Sequence, residues 1–171
     1  ATKILVQRLF SHYGLLILGG NNADLKKTMI PVFADELKNF SLSEKTKNKV
    51  DFLSDKYGKV QVNPREINLF YLSETRNRID FDGKNYVIVD TEIRFSEEEI
   101  ISELHHHPEK FSPNALMRPV YQESILPNLA YIGGNAEIMY WLELKDYFEE
   151  INVPFPVLIP RNSMLFVKQK T

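Results

Sequence analysis

Between residues 129 and 159, a short apolar strand, a Gly-Gly turn, a long helical stretch and a second apolar strand follow one another. No other part of the chain restricts its fold as strongly. Leu129, Ala130, Tyr131 and Ile132 read as a buried strand, and residues 136–148 read as a helix. Pro154 and Pro156 bracket the entry into a further strand at 157–159. A helix set between apolar strands implies an α/β fold with a parallel sheet. Gly133, Gly134 and Asn135 form the elbow between strand and helix. Glycines let the backbone turn tightly and let a ligand approach where a Cβ would clash. The amides at the start of the helix, aided by its dipole, favour an anion such as a carboxylate or phosphate. The same Gly-Gly pair serves equally well as a plain turn. Neither GxGxxG nor GxxxxGK[ST] is present.

Upstream, Ile4, Leu5, Leu9 and Phe10 recur at helical spacing, and residues 15–18 read as a continuous apolar strand closing on Gly19 and Gly20. Asn22 or Asp24 caps a helix over residues 25–39 that Pro31 is expected to kink. A Lys-rich helix over residues 43–57 ends at Gly58, its charges reading as a solvated face. From Val60 the period changes to two, predicting an antiparallel meander with Asp82-Gly83 as its middle turn. Ser96 and Glu99 form a capping box opening a helix to about His107. Pro113, Pro119 and Pro127 break the following segment into short pieces, and residues 163–167 are expected to form a last extended strand. Three segments result: 1–59, a strand with two helices; 60–96, an antiparallel insertion or connection; and 97–171, which carries the elbow.

A length of 171 residues suits one domain with a full core, and 43% hydrophobic against 26% charged residues describes a soluble globular chain. The net charge of -2 lacks the basic footprint of nucleic-acid binding. No apolar run reaches the roughly 20 residues needed to span a bilayer, so a membrane partner is not expected. The absence of cysteine excludes disulfides, thiolate metal sites and a cysteine nucleophile, and is compatible with a reducing cytosol. Ala1 stands where a start Met would, and both ends read as cut, so a fragment of a larger enzyme is expected.

The motifs HPEKFSPN (107–114), RPVYQ (118–122), LPNLAYIGG (126–134) and EIMYW (137–141) occur in this order. In them the chain closely resembles the bacillithiol biosynthesis cysteine-adding enzymes, firmly from Arg65 to about Val167 and more loosely before that. The resemblance implies a Rossmann-like core followed by a coiled-coil domain absent here. It also implies a cytoplasmic ligase that joins the carboxyl group of cysteine to the amine of glucosaminyl-malate. ATP is the cofactor it raises, with the activation route open, and a homodimer of the full-length parent is the assembly it raises. Two departures matter. Asn135 stands where members usually carry Pro, and the upstream G-Q-Q-x-G-L and E-D-H-D segments are missing. The piece alone is therefore expected to be inactive. A non-catalytic anion- or sugar-binding module and a nucleotide-sugar glycosyltransferase domain are the competing readings.

Glu137, in the first turn after the elbow, is the candidate catalytic residue, engaging a substrate ammonium or taking its proton; a dipole-favoured helix-terminal Glu is the plainer account. Arg118 is placed to grip a malate carboxylate bidentately, or to cap local carbonyls. Asn114, Tyr121 and Gln122 are candidates for sugar or malate hydroxyls, or for satisfying loop backbone. Gly133, Gly134 and Asn135 would shape the anion pocket. Tyr140 beside Trp141 is a candidate for stacking, with core packing the default. His105, His106 and His107 are adjacent, point in different directions and read as helix-terminal residues, so no metal site is expected.

Overall fold

The alternating segments pair as their period of two predicts. This computed structural model describes residues 2–15, 17–58 and 62–164. Within it β1 (Leu69–Leu72), β2 (Arg76–Phe81), β3 (Tyr86–Ile88) and β4 (Arg94–Phe95) form an antiparallel meander. Asp82 fixes the middle turn, its Oδ1 accepting the N–H groups of Lys84 at 2.9 Å and Asn85 at 2.7 Å. Gly83 takes the left-handed φ of 92° that the turn needs. A fifth strand, β5 (Phe111–Pro113), pairs with the free side of β1, giving the order β4-β3-β2-β1-β5. The antiparallel element expected as a small insertion is thus the larger of two sheets. The parallel sheet is a pair, β6 (Ala130–Gly133) beside β7 (Val157–Pro160), with Ala130 opposite Val157 and Gly133 opposite Pro160. The α/β class stands, with the sheet proportions reversed.

Helices supply the other layer. α1 (Thr2–Phe10) buries none of its side chains and runs into a 3-10 turn at Ser11–Tyr13. Residues 15, 17 and 18 adopt no regular structure, so the strand expected at 15–18 is not formed there; Leu16 lies outside the described residues. Asn22 caps α2 (Ala23–Lys27), accepting the Leu25 N–H at 3.0 Å. Pro31 does more than kink the next helix. The chain breaks at Thr28 and Met29, and α3 (Ile30–Asn39) starts anew with Pro31 in its first turn, where a missing N–H costs no helical bond. α4 (Ser41–Tyr57) ends at Gly58, and α5 (Glu97–His106) opens on the capping box of Ser96 and Glu99. Pro119 likewise sits in the first turn of α6 (Met117–Ile125), which is why a helix forms where prolines predicted short pieces. The elbow helix divides into α7 (Asn135–Glu143) and α8 (Lys145–Glu150). Ser163 and Met164 form no strand, and the rest of the segment expected to be one lies outside the described residues.

One core joins these parts: Phe33, Leu37 and Leu42, then Leu69, Tyr71 and Ile79, then Phe111, Val120, Trp141 and Phe148. The parallel pair touches this core on one face only, through Tyr131 and Leu158, and leaves Ile132 and Val157 63% and 65% exposed on the other. No helix among the described residues is long and apolar enough to cross a membrane.

α7 also buries Glu143 completely, and neither carboxylate oxygen has a hydrogen-bond partner among the described residues. Burial pushes its pKa from 4.5 up to about 7. The folded state therefore holds this proton more tightly than the unfolded chain does. The cost of ionising it is absent below about pH 4.5, grows through the interval and is complete above about pH 7. Glu143→Gln is accordingly expected to raise stability at pH 8 by ~1–3 kcal/mol. The gain shrinks to nothing as the pH falls to 4.5, as urea titrations across that range would show. A gain independent of pH would contradict it.

Candidate functional site

α6 is held at its start by Asn114. Its Oδ1 accepts the N–H groups of Leu116 and Met117, each at 2.9 Å, while its Nδ2 donates to Asn68 Oδ1 at 2.8 Å. Both polar atoms of this side chain are engaged by the protein, so its observed contribution is to orient α6. Arg118 and Gln122 lie four residues apart on that helix and share a face. Arg118 Nη1 donates to Gln122 Oε1 at 3.0 Å, and Nη2 donates to the Tyr140 hydroxyl on α7 at 2.9 Å. Tyr121 turns the other way. It is buried, its hydroxyl has no partner among the described residues, and its ring centroid lies 5.9 Å from Lys26 Nζ.

The elbow stands beside this cluster. Helix α7 begins at Asn135, which is exposed, and Gly134 is the cap, with φ -68° and ψ 164°. That is extended backbone open to any residue, so what glycine supplies at the elbow is space, strictly at Gly133 and less so at Gly134, whose neighbour is a movable side chain. A Cβ on Gly133 would lie 2.7 Å from Tyr131 Cε1, and one on Gly134 would lie 3.1 Å from Arg161 Nη2. Glu137 folds back over the turn. Its Oε2 accepts the Gly134 N–H at 2.8 Å, and its Oε1 accepts the Tyr131 hydroxyl at 3.1 Å. The Gly134 N–H, then the Tyr131 hydroxyl, then the charges of Arg161 and Arg118 hold this carboxyl below the usual range. Glu137 is thus a standing negative charge, suited to holding a cation and poor at accepting a proton near neutrality. It also takes the position at the Gly134 amide that an incoming anion was expected to occupy.

Arg118, Gln122, Tyr140, Gly133, Gly134 and Glu137 are therefore gathered in one place, while Asn114 and Tyr121 support α6 from its start and its inner side. Sequence reasoning passed over Tyr131 and Arg161. Tyr131 stacks on Trp141 with centroids 4.3 Å apart, and Arg161 is the first residue beyond β7, its N–H bound to Gly133 O at 2.7 Å. A cation directly after the second strand of a parallel pair was the signal available for Arg161. Lys26 was also missed. It is fully buried, donates to the Phe111 carbonyl, and has its pKa lowered to about 8 by burial. A separate cleft of about 450 Å³ between β4 and α5 is lined by Arg94, Phe95, Glu98, Glu99, Ser102 and Glu103. Glu99 is committed to its cap and Glu103 to Tyr71 and Lys110. Among the described residues no group of three His, Asp or Glu is placed to hold a metal.

A parallel strand pair with a helix rising from the Gly-Gly end of its first strand, and polar side chains gathered at its carboxyl edge, is one unit of the arrangement found in Rossmann-like domains. The family described as "Bacillithiol biosynthesis BshC, N-terminal Rossmann-like domain" matches residues 1–162. A protein of Flavobacterium johnsoniae named "Putative cysteine ligase BshC" is 48% identical over 171 residues, covering 99% of this chain and 32% of the relative. Relatives of the same name from Flavobacterium psychrophilum and Chlorobaculum tepidum are 50% and 31% identical, over 99% and 96% of this chain. The chain belongs to the BshC family. It spans 32%, 32% and 30% of the length of these three relatives.

Proposed function

We propose that this chain supplies the acceptor-binding part of a cytoplasmic cysteine ligase, which joins the carboxyl group of cysteine to the amine of glucosaminyl-malate. The observation that carries this reading is the ionised Glu137 facing the Arg118–Gln122–Tyr140 cluster across the elbow, in a chain whose longer relatives are named cysteine ligases. Glu137 holds the acceptor's ammonium, and Arg118, steadied by Tyr140 and Gln122, takes a malate carboxylate. Gln122 also orients the sugar, Gly133 and Gly134 keep the pocket open, and Asn135 rims it. Asn114 and Tyr121 set the position of α6. The amine nitrogen forms the new bond to the carboxyl carbon of cysteine, one carboxyl oxygen would depart with the group that activates it, and the amine gives up its protons to solvent, so the elements of water are taken up by the activating group and none is released. The carboxyl must be activated for this. ATP is the proposed source, and the Gly134 amide is not the donor for its phosphates, because Glu137 occupies it. The activation step is assigned to no residue here, and the chain alone is proposed to be inactive.

The test is mass spectrometry of the full-length protein carrying this chain, incubated with cysteine, glucosaminyl-malate and ATP. Product is expected, with Arg118→Ala raising KM for glucosaminyl-malate roughly 10- to 100-fold. Glu137→Gln is expected to lower kcat/KM by a similar factor. No product from folded protein, with and without ATP, would redirect the reading to an anion- or sugar-binding module or to glycosyl transfer.

A further inference from the structure

An exposed arginine is ordinarily a solvated cation, and Arg161 departs from that in its surroundings. It follows the carboxyl end of β7, beside the carboxyl end of β6, the edge at which parallel sheets bind ligands. Its position is fixed by the backbone bond to Gly133, and its guanidinium lies over Gly134. Because Gly134 has an unstrained extended conformation, what its missing side chain provides is room for that guanidinium. Among the described residues neither Arg161 nor Arg118 has an acidic oxygen within 4.0 Å, yet both act on the carboxylate of Glu137. Two guanidinium groups and one carboxylate leave the site with a surplus positive charge.

We propose that Arg161 is a second anion-binding residue of this site, and that with Arg118 it selects a ligand carrying two carboxylates. Planar guanidinium groups bind carboxylates through paired N–H donors, so two of them at one site can each take one carboxylate of the same ligand. A ligand that also presents an ammonium to Glu137 matches the site's charge. The proposal rests on the reading of the elbow as the acceptor site.

The test is calorimetric titration of the full-length protein carrying this chain with malate and, separately, with inorganic phosphate. Malate is expected to bind the more tightly. Arg161→Gln is expected to weaken malate binding roughly 10- to 100-fold, and Arg161→Lys to retain part of the affinity, with melting temperatures unchanged in both. Gly134→Ala, whose Cβ would lie 3.1 Å from Arg161 Nη2, is expected to weaken malate binding in the unaltered background and to have a smaller effect in the Arg161→Gln background. Malate affinity within twofold of normal in Arg161→Gln, additive losses in the double variant, or tighter binding of phosphate than of malate would each overturn the proposal. Ligation product with unchanged malate affinity in Arg161→Gln would overturn it while sparing the ligase reading. Loss of malate affinity in a protein that forms no product would do the reverse.

Discussion

Truncating Trp141 to alanine is expected to lower folding stability by ~3–5 kcal/mol. The indole is fully buried where α7 meets the parallel pair. It stacks on Tyr131 at 4.3 Å and meets Phe148 and Phe155 at centroid distances of 6.0 Å. Removing it leaves a cavity bounded by three aromatic rings, and such walls close only partly. Its Nε1–H is buried without a partner among the described residues, so Trp141→Phe sheds an unsatisfied donor while keeping a ring. That variant is expected to lose clearly less, about 1–2 kcal/mol. Trp141 is the chain's one tryptophan, so the unaltered protein can be followed by fluorescence, while the variants need circular dichroism. Equal losses in both would show that the indole's extra volume, and not the cavity left by a lost ring, sets the cost. Loss of Trp141 also removes the backing of Tyr131, so the bond from Tyr131 to Glu137 is expected to loosen with it.

Glu36→Ala is the second large effect, at roughly 2–4 kcal/mol of lost stability. Glu36 is buried on α3, and its Oε1 accepts both the Asn68 N–H and the Asn68 Nδ2, each at 2.8 Å. Its Oε2 accepts the Leu42 N–H at 2.9 Å. Burial raises its pKa while these bonds pull the other way, so removing the charge relieves one cost and strands three donors. Between α3 and α4, Phe40 has the left-handed φ of 50°, and its N–H is bound to Glu36 O at 3.0 Å. The strained turn and the carboxylate thus support each other. Asn68 passes the restraint on to Asn114 and from there to the start of α6. Urea unfolding of Glu36→Ala beside Glu36→Gln tests this, with Gln expected to fall between the unaltered protein and Ala. A loss below about 1 kcal/mol for Ala would mean that the charge relieved outweighs the donors stranded.

Much of this architecture was readable because local chemistry and final structure agree. Ser96 with Glu99, Asp82 with Gly83, and Gly58 after a long helix each specify a local geometry that tertiary packing did not contest. Residues 15, 17 and 18 form no strand where one was expected because a short apolar run carries no period, and only a neighbouring strand can decide whether it pairs. β5 was hidden by Pro113, which is tolerated because that strand is an edge of its sheet. At the site, Glu137 and Arg118 stood out through their motifs. Tyr131 did not, because its hydroxyl reaches Glu137 only through the turn of the elbow, and Arg161 did not, because it comes to the elbow only once the chain has folded back to lay β7 beside β6. Nothing in the sequence around Glu36 singles it out, because its partners at Asn68 are 32 residues away along the chain.

The parallel pair that rests on the core through one face has a thermodynamic corollary. Its two strands form the less supported of the two sheets among the described residues, whereas α6 is rooted in the core and braced from its base by Asn114. A ligand held at once by Arg118 and by the elbow would therefore act as a clasp between a firm element and a pliant one. Its binding energy would be spent partly on suppressing local opening, so occupancy would be visible as slower amide exchange along β6 and β7, with little change in the antiparallel sheet.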